Sequence, residues 1–120
     1  MKYDLIERTI DFAVSIIQIA DLLPKTKAGN HIASQIIRSG TSPAANYGEA
    51  QGAESRKDFI HKMKICLKEL RETLVWLKIL EKSDLIQTSE LSTIKEENNQ
   101  LILIFFKSIE TAKNNEGSET

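Results

Sequence analysis

The sequence predicts an all-α protein, an antiparallel up-down-up-down bundle of four helices in a single domain over residues 1–113. Apolar residues recur at spacings of three and four in four separate segments, which is the period of a helix that packs on a core. The connections between the segments are short and carry proline, glycine or helix-capping residues, which favours antiparallel neighbours. The run "LILIFF" could by itself form a strand, but the sequence offers no second strand for it to pair with. The final stretch, "NNEGSET", predicts a flexible tail over residues 114–120.

Helix 1 is predicted at about residues 4–23 and has a wide apolar side. One stripe consists of Ile6, Ile10, Ala13, Ile17 and Ala20, and a second consists of Leu5, Phe12, Ile16, Ile19 and Leu23. At ~100° per residue the two stripes together cover an arc of roughly 180°, which is wider than packing on one core requires. We therefore expect helix 1 to be covered from two sides, which predicts a homo-oligomer.

Helix 2 is predicted at about residues 30–52, after the break in "LLPKTKAGN". Its small residues lie four apart, at Gly40, Ala44, Gly48 and Gly52. Small side chains let another backbone approach closely. Pro43 removes the hydrogen bond to the Ser39 carbonyl, which predicts a kink. The alternative is a helix that begins at Pro43 with Ser42 as its cap.

A second side of helix 2 carries polar residues, which we call the polar seam. It consists of Gln35, Arg38, Ser39, Ser42, Asn46 and Glu49. Small polar residues at helical spacing usually satisfy one another between helices, because a buried polar group without a partner costs ~1 to 3 kcal/mol. We interpret the seam as a structural interface, with a ligand site as the alternative. Arg38 is expected to pair with a carboxylate such as Glu49 or Glu72, of the same or a neighbouring chain.

Helices 3 and 4 are predicted at about residues 55–82 and 88–113. Ser55 and Asp58 fit a capping box at the start of helix 3, and Thr88 or Ser89 is the expected cap of helix 4. The apolar face of helix 3 consists of Phe59, Met63, Cys66, Leu70, Thr73, Leu77 and Leu80. The face of helix 4 consists of Leu91, Ile94, Asn98, Leu101, Phe105 and Ala112. Because this period continues through "LILIFF", we interpret that run as helix and not as strand.

Positive residues follow one side of helix 3, and we call them the basic stripe. It consists of Lys57, His61, Lys64, Lys68 and Arg71, with Arg56 near its N-terminal end. The stripe is local, since the whole chain has a net charge of −1. Such a stripe contacts phosphates without reading bases. The alternative is a solvated surface whose charge is offset by Glu69, Glu72 and acids on other helices. With Trp76 as the one candidate for stacking, we expect slight base discrimination.

Catalytic and metal chemistry find little support in the sequence. Cys66 lies on the apolar face of helix 3 and His61 points roughly 140° away from it, so we interpret Cys66 as a core residue. His31 and His61 are too few ligands for a metal site without help from carboxylates. Glu69 and Glu72 lack an accompanying cleft or glycine-rich loop, and we expect them to form ion pairs. We therefore expect no enzymatic activity, no metal and no cofactor.

Composition and charge predict a soluble cytoplasmic protein with no membrane partner. The chain of 120 residues is 41% hydrophobic and 28% charged, which is ordinary for a globular protein. Its single cysteine fits a reducing compartment. The charged N-terminus lacks the apolar region of a targeting segment, and "LILIFF" is too short to span a bilayer. No feature identifies a small-molecule substrate.

Three stretches carry a resemblance to a known family: "QIIRSGTSPAANYGEA", "SRKDFIHKMKICLKELRET" and "WLKIL". In them the chain resembles the small four-helix-bundle proteins encoded in intervening sequences of bacterial 23S ribosomal RNA genes. The resemblance implies a ring-shaped homopentamer without established enzymatic activity. It also implies kinship with the accessory variability protein of diversity-generating retroelements, a nucleic-acid-binding partner of a reverse transcriptase. The commoner branch of the family has a branched aliphatic residue where this chain has Pro43, so a straight helix 2 is not carried over.

Two functions from different classes follow from these observations. The first is an oligomeric accessory module that binds RNA or DNA through the basic stripe with little sequence preference. The second is a scaffold ring that docks proteins and binds no nucleic acid. A salt-dependent interaction with generic RNA or DNA distinguishes the two.

Overall fold

The chain folds as four α-helices, seen in a computed structural model that describes residues 4–87 and 89–118, with side chains to residue 115. The helices are α1 (Leu5–Asp21), α2 (Lys27–Gln51), α3 (Arg56–Ser83) and α4 (Glu90–Ser118). Each helix packs on the next in the chain, and α4 packs on α1 to close the bundle. The described residues form no strand. The predicted all-α four-helix bundle is therefore confirmed.

Contacts between neighbouring helices show that they run antiparallel. Along α2 and α3, Ser39 contacts Thr73 while Glu49 contacts Lys62, so one helix ascends as the other descends. At the closing pair, Arg8 of α1 binds Glu97 of α4, with Nε 2.7 Å from Oε2. No helix in the described part of the chain is long and apolar enough to cross a membrane.

The start of α2 differs from its prediction, because the helix begins at Lys27 and not near residue 30. The Thr26 hydroxyl accepts a hydrogen bond from the Gly29 amide at 3.0 Å and so caps the helix. Gly29 lies inside the first turn, where a Cβ would stand 1.9 Å from the Pro24 carbonyl oxygen. Gly29 therefore permits a close approach between the loop and α2, whereas the sequence suggested that it breaks the helix.

The ends of α3 and α4 are partly as predicted. The Ser55 hydroxyl accepts from the Asp58 amide at 3.0 Å, which confirms Ser55 as the cap of α3. Helix α4 continues to Ser118, so the prediction that the helix gives way to a tail after residue 113 is wrong for residues 114–118. No proline interrupts this stretch, and its glycine lies one residue before the end. The candidate cap Thr88 and residues 119–120 lie outside the described residues.

The core is built from the predicted faces of α3 and α4 together with the second stripe of α1. The fully buried large side chains include Ile16, Met63, Leu70, Leu77, Leu101 and Phe105. The first stripe of α1 is divided, because its Ala13 and Ala20 are buried whereas Ile10 and Ile17 are about 40% exposed, with Val14 beside them 46% exposed. Helix α1 thus has an apolar side in the core and a second apolar side at the surface, as its wide pattern predicted.

Pro43 lies inside α2, which runs without interruption from Lys27 to Gln51. The alternative of a helix start at Pro43 is therefore wrong, and the kink stays a prediction. The small residue Gly40 is buried against α1, where a Cβ would stand 2.7 Å from Cγ2 of Ile16. At this position the close neighbour is a side chain of the same chain, whereas Gly48 further along is exposed.

Candidate nucleic-acid interface

The basic stripe lies on the outward side of α3. Met63, Cys66 and Leu70 point into the core, and the residues of the stripe lie on a different side of the helix. The side chains of Lys57, His61, Lys64, Lys68 and Arg71 are all exposed. Arg56, the sixth predicted residue, is half-buried and its Nη1 atom has no access to solvent, so it offers less of its charge to a ligand.

The stripe forms one wall of a groove between α3 and α4, which we call the basic groove. Its main part has a volume of about 370 Å³ and an adjoining part about 300 Å³. Lys64, Lys68 and Arg71 line it from α3, and Phe106, Glu110 and Lys113 line it from α4. Lys57 and His61 line the adjoining part, where Lys113 again stands opposite. Cations from two helices therefore face the same open space.

The cations of the basic groove are not neutralised by ion pairs. Across residues 4–87 and 89–115, neither Lys64, Lys68, Arg71 nor Lys113 has a carboxylate oxygen within 4.0 Å. Glu110 is the single acid among the lining residues of the main part that the structure describes. The groove therefore presents an excess of positive charge to a ligand, although the chain as a whole is slightly negative.

Glu69 and Glu72 of α3 both bind Arg38 of α2. Nη1 of Arg38 lies 3.3 Å from Oε2 of Glu69, and Nη2 of Arg38 binds Glu72. The prediction that these two acids form ion pairs is confirmed. The alternative that these two acids help to offset the basic stripe stays a prediction, since Arg38 carries one positive charge against their two negative charges.

The aromatic residue beside the stripe is Phe106, which the sequence analysis missed. Trp76, the residue predicted for stacking, instead faces α2. Its Nε1 donates to Oε2 of Glu72 at 3.0 Å, and its ring meets that of His31 edge-on at 5.9 Å. Phe106 follows the buried Phe105 and is 46% exposed. The sequence did contain a signal for this residue. Phe106 is a large apolar residue directly after Phe105, so it lies off the predicted core face of helix 4 and is expected to point elsewhere.

The polar seam lies against α3 on the side away from the groove. Arg38 contacts Gln35 and one of its two predicted acids, Glu72, while the other, Glu49, binds Nζ of Lys62 at 2.6 Å. That hydrogen bond, together with the charge of Glu49, raises the pKa of Lys62. The expectation that Arg38 pairs with one of these two acids is therefore confirmed for Glu72 of the same chain.

The buried hydroxyls of the seam bind one another. Thr73 donates to the Oγ of Ser39 at 2.8 Å, and both side chains are fully buried. Asn46 donates to the Oγ of Ser42 at 2.9 Å and to its carbonyl at 3.1 Å. These contacts use the polar groups inside the bundle, so they leave few of them for a ligand.

Cys66 has the environment of a core residue. It is fully buried, and burial raises the pKa of its thiol to about 12. Its Sγ lies 3.5 Å from the Pro43 carbonyl oxygen, and His61 points outward. A thiol in this state is a poor nucleophile. Over the described residues, no group of three or more His, Cys, Asp or Glu side chains is placed to hold a metal ion.

The fold and the groove define a small all-α bundle protein with one cationic side. The family model of the 23S rRNA-intervening sequence proteins matches residues 1–106, and the chain belongs to this family. A solved structure from the S23 ribosomal protein family of Bacteroides thetaiotaomicron, a protein of unknown function, is similar at 33% identity and a TM-score of 0.82. The match covers 88% of this chain and 98% of that one. No curated protein matches the chain.

These comparisons confirm the family predicted from the sequence. The kinship with the accessory variability protein of diversity-generating retroelements stays a prediction, as does the pentameric ring. Three residues of the groove, Ile109, Glu110 and Lys113, lie beyond the part of the chain that the family model matches.

Proposed function

We propose that this protein is a cytoplasmic, non-enzymatic homo-oligomer that binds RNA or DNA through the basic groove, with little sequence preference. The observation that carries the proposal is the convergence of Lys64, Lys68 and Arg71 from α3 with Lys113 from α4 on one open groove. Their charges have no partner within the described chain. A polyanion supplies the charge that the protein itself does not.

Contacts to phosphates explain both the affinity of such binding and its lack of preference for a base sequence. Each phosphate that is neutralised releases condensed counterions, which gives affinity without reading the base sequence. Lysine side chains contact phosphates as flexible point charges, whereas base recognition needs fixed donors and acceptors. The basic groove holds mainly lysines, so it fits backbone binding.

The surface also supports assembly into a ring. Exposed aliphatic side chains form one set on α1, namely Ile10, Val14 and Ile17, and another on α3 and α4, namely Val75, Ile79 and Leu103. Two different apolar sets on one chain are what a head-to-tail interface requires, and a head-to-tail interface that closes makes a ring. A homopentamer presents several basic grooves at once, which increases the avidity for a long nucleic acid.

The second candidate function is a scaffold ring that docks proteins only. The observation that favours it is the exposure of Val75 and Leu103, at 55% and 59%, on the two helices that form the groove. Exposed aliphatic residues are a usual feature of protein interfaces. In this case the lysines of the groove would serve solubility and would bind no polyanion.

A titration with fluorescently labelled RNA and DNA tests the proposal by anisotropy. The affinity of the parent should fall between roughly 50 and 200 mM salt, with a slope of about −0.7 to −0.9 per phosphate neutralised. Lys64→Glu with Lys68→Glu should reduce binding about 100-fold, because two attractive contacts become repulsive. Circular dichroism should show an unchanged fold.

The matched control is Lys25→Glu with Lys27→Glu. It lowers the net charge by the same amount, but these two exposed lysines lie at the junction of α1 and α2, at the other end of the bundle. The control should bind like the parent. Equal losses in both variants would indicate a bulk charge effect, and no binding by the parent at low salt would favour the scaffold.

Light scattering tests the assembly independently of the ligand. The parent should form a particle about five times the chain mass of 13.5 kDa. Val14→Glu should dissociate it, since a charge would be buried in the interface. A stable monomer of the parent at micromolar concentration would contradict the ring.

A further inference from the structure

The side chain of Phe106 is exposed in a way that the fold does not explain. Its neighbours Phe105 and Ile109 fill the core, whereas Phe106 is 46% exposed. The other phenylalanine, tyrosine and tryptophan side chains that the structure describes are buried or half-buried. An aromatic ring of this size gives up favourable burial when it stays in water, so its position suggests that a ligand covers it.

The ring shares the basic groove with the cations. Lys68 and Arg71 line the groove from α3, while Phe106 and Lys113 line it from α4, above a floor that includes Leu67 and Ile109. The volume of about 370 Å³ is within the range of sites for ligands about the size of one nucleotide. An aromatic face beside several cations is the combination by which proteins hold single strands, with phosphates on the cations and bases on the ring.

We propose that the basic groove binds single-stranded nucleic acid in preference to a duplex, with one base stacked on the ring of Phe106. The inference rests on the proposed function and adds the class of strand. In a duplex the faces of the bases are stacked inside the helix, so Phe106 would contact no base and only the cations would act. In a single strand the bases are free to turn toward the ring while the phosphates follow Lys64, Lys68 and Arg71. Charge favours this occupant over an apolar peptide, since among the described lining residues there are several cations and one acid, Glu110.

The test compares Phe106→Ala with the parent on a short unstructured single strand and on a duplex of the same sequence. Phe106→Ala should weaken binding of the single strand about tenfold, because loss of one stacked base has an effect of that order. Binding of the duplex should stay within about twofold, since it depends on the lysines. Phe106→Trp should restore or increase the affinity for the single strand. A single strand that carries 2-aminopurine should lose fluorescence with the parent and not with Phe106→Ala.

Leu22→Ala is the matched control for the loss of apolar surface. Leu22 follows α1 and is 58% exposed, but it does not line the groove and belongs to neither apolar set of the proposed interface. This variant should bind the single strand like the parent. Light scattering on both variants should give the particle size of the parent.

The outcomes separate this inference from the proposed function. If Phe106→Ala binds the single strand as tightly as the parent while Lys64→Glu with Lys68→Glu does not bind, the proposed function stands and the inference is overturned. If the parent binds neither single strand nor duplex at low salt, both are overturned. If Phe106→Ala dissociates the oligomer, Phe106 belongs to a subunit interface and the inference is overturned. Tighter binding of an acidic amphipathic peptide that is also lost in Phe106→Ala would make the groove a protein-docking site and overturn it as well.

Discussion

The polar seam and the basic groove lie on opposite sides of α3 and use the same kinds of residues for different ends. In the seam, the cation Arg38 faces the two acids Glu69 and Glu72, so opposite charges from two helices attract one another. In the groove, Lys68 and Arg71 face Lys113, so charges from two helices add. In both regions the polar and charged residues recur along their helix at spacings of three and four residues. The residues that stand opposite therefore decide whether a charged helix face holds the bundle together or attracts a ligand.

The two regions also differ in their exposure. Ser39, Thr73 and Cys66 in and beside the seam are fully buried. Lys64, Lys68 and Arg71 in the groove are exposed. We therefore expect substitutions in the seam to change stability and substitutions in the groove to change binding.

The largest difference is expected for the reactivity of Cys66, which is covered by the seam. Since burial raises the pKa of its thiol to about 12, the reactive thiolate at pH 8 should be about a thousandfold rarer than for a free cysteine. Alkylation by iodoacetamide, followed by mass spectrometry, should be slow in the native protein and fast after addition of urea. Rapid alkylation of the native protein would show that the seam opens to solvent.

Thr73→Val should lower the free energy of unfolding by about 1 to 3 kcal/mol, because it leaves the buried hydroxyl of Ser39 without its partner. Urea denaturation measures the change. The control Thr111→Val concerns an exposed threonine of α4 and should change stability by less than about 0.5 kcal/mol. Equal stability of the two variants would show that the contact between Ser39 and Thr73 does not stabilise the bundle.

Arg38→Ala and Lys68→Ala compare the two regions directly. Arg38 is half-exposed, so its ion pairs are screened, and its loss should cost about 0.5 to 1 kcal/mol. Lys68 has no ion pair within the described part of the chain, and its loss should cost less than about 0.5 kcal/mol while weakening RNA binding. Urea denaturation and fluorescence anisotropy on both variants measure the stability and the RNA affinity. A larger loss of RNA affinity in Arg38→Ala than in Lys68→Ala, with a larger loss of stability in Lys68→Ala, would contradict the distinction between seam and groove.

The pH dependence of stability should carry a smaller signature of the seam. The hydrogen bond from Trp76 lowers the pKa of Glu72 below its usual 4.5, and Arg38 adds to this, although burial opposes it. The depressed pKa contributes stability above pH ~4.5, and this contribution is lost as pH falls through the folded pKa. The difference in unfolding free energy between the parent and Arg38→Ala should therefore shrink between pH 5 and pH 3. A difference that stays constant would show that Glu72 is not the partner that matters.

The sequence predicts the helices and their core faces well because each depends on a local period. The spacing of Met63, Cys66 and Leu70 contains the information that they share one side of α3. The start of α2 was not predictable in this way, since the role of Gly29 depends on where the Pro24 carbonyl lies in space. The length of α4 was missed because polar residues near a chain end are compatible with both helix and tail.

The candidate site was predictable only on α3. The basic stripe follows from spacing along one helix, but Phe106 and Lys113 join it through the packing of α4 on α3. The same limit explains Glu69 and Glu72, whose partner Arg38 is distant in sequence. Which residues stand opposite one another depends on the register between helices, and the period of a single helix does not contain it.

Lysine footprinting tests the central claim most directly, because it compares the two regions in the unaltered protein. Acetylation rates of individual lysines, measured by mass spectrometry with and without single-stranded RNA, report which side chains the ligand covers. RNA should slow acetylation of Lys64, Lys68 and Lys113 in the groove. It should leave the acetylation rates unchanged for Lys62, which pairs with Glu49 of the seam, and for the distant Lys25. Protection of Lys62 or Lys25 to the same degree as Lys64, or no protection at saturating RNA, would contradict the account.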